Sequence, residues 1–178
     1  MAAPARTRHL HPKTLRDNVL AGLGTPLTGR WEQVRLPFAI YAVIAITIAV
    51  ASPDVFPVSL PPVWKVIVLP FLLVLYPSLI EEVVFRGLLL PQHLRDASPV
   101  CRFAAVALST AVFTAWHPLN HFLINLSDTS IFLEPTFLLI VVALGFACGY
   151  SYLRTGSLWA PVLIHWATTV IWNLFFGR

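Results

Sequence analysis

The sequence predicts an all-α, polytopic integral membrane protein, a bundle of about five transmembrane helices. Composition is the first ground: 57% of the 178 residues are hydrophobic and only 11% are charged, where a soluble domain carries about a quarter charged residues. The second is five apolar stretches, each bounded by proline-rich or polar turns, at lengths that suit a bilayer core. The third is the placement of the basic residues, which gather in the N-terminal segment and in alternate turns.

Residues 1–35 read as a basic cytoplasmic tail and residues 36–178 as the membrane domain. The tail holds Arg6, Arg8, Lys13, Arg16, Arg30 and Arg35 against Asp17 and Glu32. His9 and His11 lie beside Pro4 and Pro12, too short a pair for a metal site. Thr14 to Leu23 suits a short interfacial helix, ended by Gly24 and Pro26. No signal peptide of the usual layout precedes Leu36, so the first span is expected to act as its own insertion signal.

Leu36 to Ala51 forms the first span, and Ser52-Pro53-Asp54 ends it. Pro57, Pro61 and Pro62 keep the following loop non-helical. The second span runs from Val63 to Leu90, with kinks expected at Pro70 and Pro77. Pro91 to Pro99 makes a polar turn. Arg102 to His117 is the third span, closed by His117-Pro118-Leu119-Asn120-His121, and the loop to Pro135 carries Asp128 and Glu134. Thr136 to Tyr152 is the fourth span. Its Gly145 and Gly149, four apart, mark a close-packing helix face. Leu153 to Ser157 is a tight turn, and Leu158 to Phe176 is the fifth span.

This order puts the tail, the Arg95/Arg102 turn and the Arg154 turn on one side of the membrane. The Asp54 and Asp128/Glu134 loops fall on the other. The positive-inside rule then places the N-terminus in the cytoplasm and Arg178 outside. Cys101 and Cys148 have neither metal-binding nor disulfide spacing and read as packing residues. No stripe of basic residues interleaved with aromatics suggests nucleic acid. An ion transporter is disfavoured because the five spans show no internal repeat.

The chemistry concentrates in Leu79-Ile-Glu81-Glu82-Val-Val-Phe-Arg86-Gly87. Charges at bilayer depth cost about 2.5–3.5 kcal/mol each on insertion scales, and they face the protein interior. Glu82 and Arg86 are four apart and can pair on one helix face. Glu81 is rotated from them by about 100°. A purely structural ion cluster is the plain alternative. His117 and His165 also lie within apolar runs, whereas His121 is expected in a solvated loop. Counted from the basic turns at about 1.5 Å per residue, Glu82 and His165 lie roughly 12 Å deep and His117 roughly 21 Å. Kinks and tilt can bring all of them into one layer.

Peptide hydrolysis needs a base for water and donors for the oxyanion in a site that limits other water. Alternatively, Glu81, His117 and His165 could hold a zinc ion, which would acidify a bound water. The sequence has no His-Glu-x-x-His, and no Gly-x-Ser-x-Gly elbow surrounds Ser157.

Glu81-Glu82-x-x-x-Arg86, Phe113-x-x-x-His117 and Ser157-Leu-Trp-x-Pro161-x-x-x-His165 resemble the three motifs of one family. This is the type II CAAX prenyl endopeptidase and bacteriocin-processing family (CPBP, or ABI), and the resemblance covers about Pro77 to Asn173. It implies an intramembrane endopeptidase of the glutamic type, all-helical, with a conical cavity inside the bilayer. By resemblance, Glu81 activates water with help from His117, His165 stabilises the oxyanion, and Glu82 with Arg86 gives structural and electrostatic support. Where the family's third motif has Asn or Asp, this chain has Thr169. Either Thr169 substitutes, or Asn173 does from one turn further on.

The implied partners are the lipid bilayer and a peptide cleaved near the membrane surface, with no nucleic acid. The peptide would be a prenylated CAAX-like C-terminus, a bacteriocin leader or a C-terminal sorting anchor. A compact chain of apparently prokaryotic layout leans toward peptide maturation or sorting at a prokaryotic cytoplasmic membrane. The runner-up is a non-catalytic immunity or scaffold protein of the same fold. No cofactor is expected, with zinc as the alternative: a zinc-bound imidazole needs a partner for its other ring N–H, and because Arg86 already claims Glu82, the spare carboxylate, at least one imidazole is left without a side-chain partner, though a backbone carbonyl could serve.

Overall fold

A computed structural model describes residues 14–52, 61–124 and 130–176. His9, His11, Asp54, Pro57, Asp128 and Arg178, with the rest of the extreme N-terminus, lie outside the described residues. Among the described residues there are six helices and no strand. They are α1 (Leu15–Gly24), α2 (Trp31–Ala51), α3 (Val63–Leu88), α4 (Pro99–Ile124), α5 (Pro135–Thr155) and α6 (Trp159–Phe176). Helices α2 to α6 are each long and apolar enough to cross a bilayer. The chain is an integral membrane protein built as an all-helical bundle.

Two boundaries lie more than one helical turn from the sequence reading. Helix α2 starts at Trp31, so position 35/36 falls inside a helix. Its first turn holds Glu32, favoured at a helix N-terminus, and Arg35 donates to Glu32 at 2.7 Å. Helix α4 does not stop at His117 but continues through Pro118 to Ile124. In a bilayer a helix tolerates proline more readily than it tolerates opened backbone. His121 therefore stands half-buried on a helix, edge-on to Phe122, rather than in a solvated loop.

Helix α3 is broken where Pro77 forbids continuation. Tyr76, the residue before it, is extended at φ −134°, ψ 125°, as pre-proline crowding favours. Wide turns at Val74–Leu79 and Val83–Leu88 flank the short α-helical piece Ile80–Glu82. At Pro70 the helix runs on, and Trp166 of α6 donates to the Pro70 carbonyl at 2.8 Å.

Helix α5 is the most buried span and packs against α2, α4 and α6. Its two glycines make the expected close approach. A Cβ on Gly145 would meet Thr110 Cγ2 at 2.6 Å, and one on Gly149 would meet Val106 Cγ1 at 2.9 Å. Gly156, at φ +69°, ends α5 in the left-handed conformation that glycine adopts without strain.

Helix α1 is fastened across the basic end of the bundle. Asn18 donates to the Gly87 carbonyl and accepts from Gln92 N–H at 2.8 Å. Ser157 Oγ donates to the Thr25 carbonyl at 2.6 Å, Leu158 N–H to Gly22 at 2.9 Å and Trp159 Nε1 to Leu23 at 2.9 Å. Arg30 reaches the Thr155 carbonyl.

Candidate active site

The break in α3 turns its second half so that Glu81, Glu82 and Arg86 all point inward, and all three are buried. Arg86 Nη1 donates to Glu82 Oε1 at 3.0 Å, and Nη2 donates to the Gly145 carbonyl of α5 at 3.0 Å. The guanidinium also lies over the Phe113 ring, 4.5 Å from its centroid. Ser109 of α4 holds this segment by donating to the Phe85 carbonyl at 2.8 Å. The i,i+4 pair expected from sequence is present, with a carbonyl and an aromatic face beside the guanidinium, while Arg86 Nε is buried with no hydrogen-bond partner among the described residues.

His165 enters from α6. Its Nδ1 lies 2.9 Å from Glu82 Oε1, the same oxygen that Arg86 engages. A carboxylate accepts only, so Nδ1 carries the proton and Nε2 faces the other way. Nε2 stands 3.9 Å from Glu81 Oε2, too far for a direct hydrogen bond and near enough for both atoms to touch one small molecule. Glu81 Oε1 accepts from Trp116 Nε1 at 3.3 Å. Its Oε2 is buried with no hydrogen-bond partner among the described residues.

His117 on α4 has Nδ1 at 2.9 Å from the Phe113 carbonyl, so Nδ1 donates and Nε2 presents its lone pair. Phe113 is the hub of the layer: His117, His165 and Phe85 each set a ring edge-on to it, at 4.9, 5.7 and 5.2 Å. On its outer side the His117 ring meets Phe132 and Phe137 at 5.7 and 5.6 Å. Phe137 meets Trp172 at 5.6 Å. Glu81, Glu82, Arg86, His117 and His165 thus occupy one buried layer despite the apparent depth offset.

Thr169 and Asn173 are placed differently. The Thr169 hydroxyl donates back to carbonyls of its own helix, His165 O at 3.2 Å and Trp166 O at 3.0 Å. Its oxygen lies 3.4 Å from Ser78 Oγ. Asn173 is exposed and donates to the Thr169 carbonyl at 2.8 Å, so it does not join His165. Sequence reasoning missed Trp116 and Ser78 as neighbours of the site. A tryptophan beside His117 and a serine three residues before Glu81 were the available signals.

Among the described residues, no three His, Cys, Asp or Glu side chains converge as a metal-binding group. Glu81, His117 and His165 therefore do not form a three-ligand set in this structure. Of the two imidazoles, His117 uses a backbone carbonyl, that of Phe113, whereas Glu82 serves His165 although Arg86 engages the same oxygen.

These features define a membrane-embedded protein with a buried cluster of ionisable side chains in its helical core. A family model described as type II CAAX prenyl endopeptidase Rce1-like matches residues 62–171, more than half of the chain, and the chain belongs to that family of membrane proteases. The match begins just before α3 and ends within α6, so it contains every residue of the buried layer. No curated protein and no solved structure matches the chain.

Proposed function

We propose that the protein is an intramembrane endopeptidase of the glutamic type, in which Glu81 is the base. The observation that carries this reading is Glu81 Oε2, a buried carboxylate oxygen with no hydrogen-bond partner among the described residues, 3.9 Å from His165 Nε2. An unpaired oxygen in a dry layer is costly unless something binds it. A water touching both atoms would be held for attack.

In the proposed reaction Glu81 takes a proton from that water while its oxygen bonds to the scissile carbonyl carbon. His117 orients the water through the Nε2 lone pair. His165 Nε2, when it carries a proton, donates to the oxyanion, and Glu82 with Arg86 fixes the ring by holding Nδ1. The C–N bond then breaks as the amine takes the proton from Glu81. Oxyanion donors of this kind are worth about 10²-fold or more in rate. Thr169 has a single proton, which its own helix carbonyls use. We assign it to holding the turn below His165, and Asn173 to that same turn, leaving the oxyanion to His165. The reaction so drawn uses no metal.

The substrate we propose is a peptide cut next to its own membrane anchor, a lipidated C-terminus or an apolar anchor helix. A cavity of about 390 Å³ between α2 and α6, lined by Phe38, Ala45, Thr168, Ile171 and Trp172, offers an apolar seat. Trp172 links it through Phe137 to His117. The position of the chain in the membrane is proposed to be N-terminus inward, in a prokaryotic cytoplasmic membrane.

The test is mass spectrometry of peptides incubated with the protein in proteoliposomes. One set carries a farnesylated C-terminus, the other an apolar C-terminal helix. Fragments from either set with the wild type, absent with Glu81→Gln, support the proposal. The Thr169 departure favours one other reading, a non-catalytic membrane partner of the same fold. Intact peptides with the wild type, together with stable capture of one of them, would select it.

A further inference from the structure

A second cavity lies on the flank of the bundle away from the buried carboxylates, with a volume of about 680 Å³. It runs between α2, α4 and α5, and Leu36, Ile40, Phe103 and Phe146 give it apolar walls. Nothing acidic lines it, and its mouth holds two guanidiniums, Arg102 from the start of α4 and Arg154 from the end of α5. We propose that this groove binds one anionic phospholipid, its acyl chain between α2 and α4 and its phosphate between Arg102 and Arg154.

Three observations point to a lipid rather than a soluble anion or a protein. The groove is apolar along its length and charged only at one end, which matches the two halves of a phospholipid. No carboxylate among the described residues lies in salt-bridge contact with Arg102 or Arg154. Among the described residues the Arg154 guanidinium has Tyr150 beside it, its Cζ 5.6 Å from the ring and Nη1 3.5 Å from the hydroxyl, and the side chain lines the groove. The local charge is raised further by Arg95, whose guanidinium donates to the Leu153 and Arg154 carbonyls at 3.0 and 3.3 Å. Guanidinium groups meet phosphate oxygens in paired hydrogen bonds. Basic pockets between transmembrane helices are suited to anionic headgroups. The nearby Arg35 is already paired with Glu32 and is not needed.

The test uses the full chain, purified in detergent and offered phosphatidylglycerol or phosphatidylcholine, with bound lipid counted by mass spectrometry of the intact complex. The wild type is expected to retain phosphatidylglycerol about tenfold better, and Arg102→Gln with Arg154→Gln to erase that preference. Ile40→Trp fills the groove but leaves both arginines, and it is expected to lower retention of phosphatidylglycerol with an unchanged melting curve. Equal retention of the two lipids, or an undiminished preference in the double variant, would overturn the proposal. So would displacement by glycerol phosphate as effective as by the lipid, which would make the site a phosphate site. A wild type that is dimeric without lipid and monomeric as Ile40→Trp would also overturn it, making the groove a contact between copies.

Discussion

The imidazole of His165 and the carboxylate of Glu82 meet at 2.9 Å, Nδ1 to Oε1, on an oxygen that also takes Arg86 Nη1 at 3.0 Å. Glu82 Oε1 is thereby committed twice over; among the described residues Oε2 of both glutamates has no hydrogen-bond partner, and that of Glu81 lies 3.9 Å from His165 Nε2. The proposed mechanism gives these two adjacent glutamates different tasks, Glu81 as base and Glu82 as support.

That division predicts different outcomes for the same substitution. Glu81→Gln is expected to lower cleavage by about 10²-fold or more with little change in melting temperature. Glu82→Gln is expected to destabilise by about 3–5 kcal/mol, because it leaves the Arg86 charge buried without its counter-ion. Melting curves in detergent beside peptide cleavage separate the two. Wild-type turnover in Glu81→Gln would remove the glutamate mechanism.

Metal dependence is checked by chelation. Purified protein dialysed against a strong chelator is expected to keep its activity, with elemental analysis well below one metal per chain. His117 and His165 each have a partner for Nδ1, as metal-bound imidazoles do, so the metal content is the deciding measurement. Stoichiometric zinc, lost along with activity in His117→Ala, would restore the three-ligand reading.

At the contact of α4 with α5, Gly145→Ala is expected to cost about 1–3 kcal/mol through overpacking, since its Cβ would lie 2.6 Å from Thr110 Cγ2. Removing that methyl in Thr110→Ala should return most of the loss. The Thr110 hydroxyl has no hydrogen-bond partner among the described residues, so its removal costs little by itself. A double variant as unstable as Gly145→Ala alone would place the clash elsewhere.

Topology is read by fusions. Five spans require reporters at Met1 and Arg178 to respond on opposite sides of the membrane, the first in the cytoplasm. Signals from one side would mean that a span is missing or added.

Apolar length and turn chemistry made the five spans and the Gly145/Gly149 contact legible from sequence. The i,i+4 spacing did the same for the Glu82–Arg86 pair, and Pro77 for the break in α3. The end of α4 was not legible: His117-Pro118 looks like a helix stop by rules drawn from water, whereas a bilayer favours continuing. His165 sharing an oxygen with Arg86 was hidden because it depends on the rotation of α6 against α3, which no local pattern encodes. The exhaustion of the Thr169 proton on its own helix was equally invisible, since a threonine back-bond looks the same in sequence as a free hydroxyl.

The fastening of α1 also fixes an order of events during synthesis. Its hydrogen-bonding partners Ser157 and Trp159 are more than 130 residues further along the chain. When α1 leaves the ribosome those partners do not yet exist, and they arrive only with the last span. Asn18 can meet Gly87 and Gln92 once α3 is made, whereas the bonds from Ser157 and Trp159 wait until α6 follows. Such distant pairings are the slow step of a fold. The fastening of α1 is therefore completed in two stages, the second of them after the last described span is made.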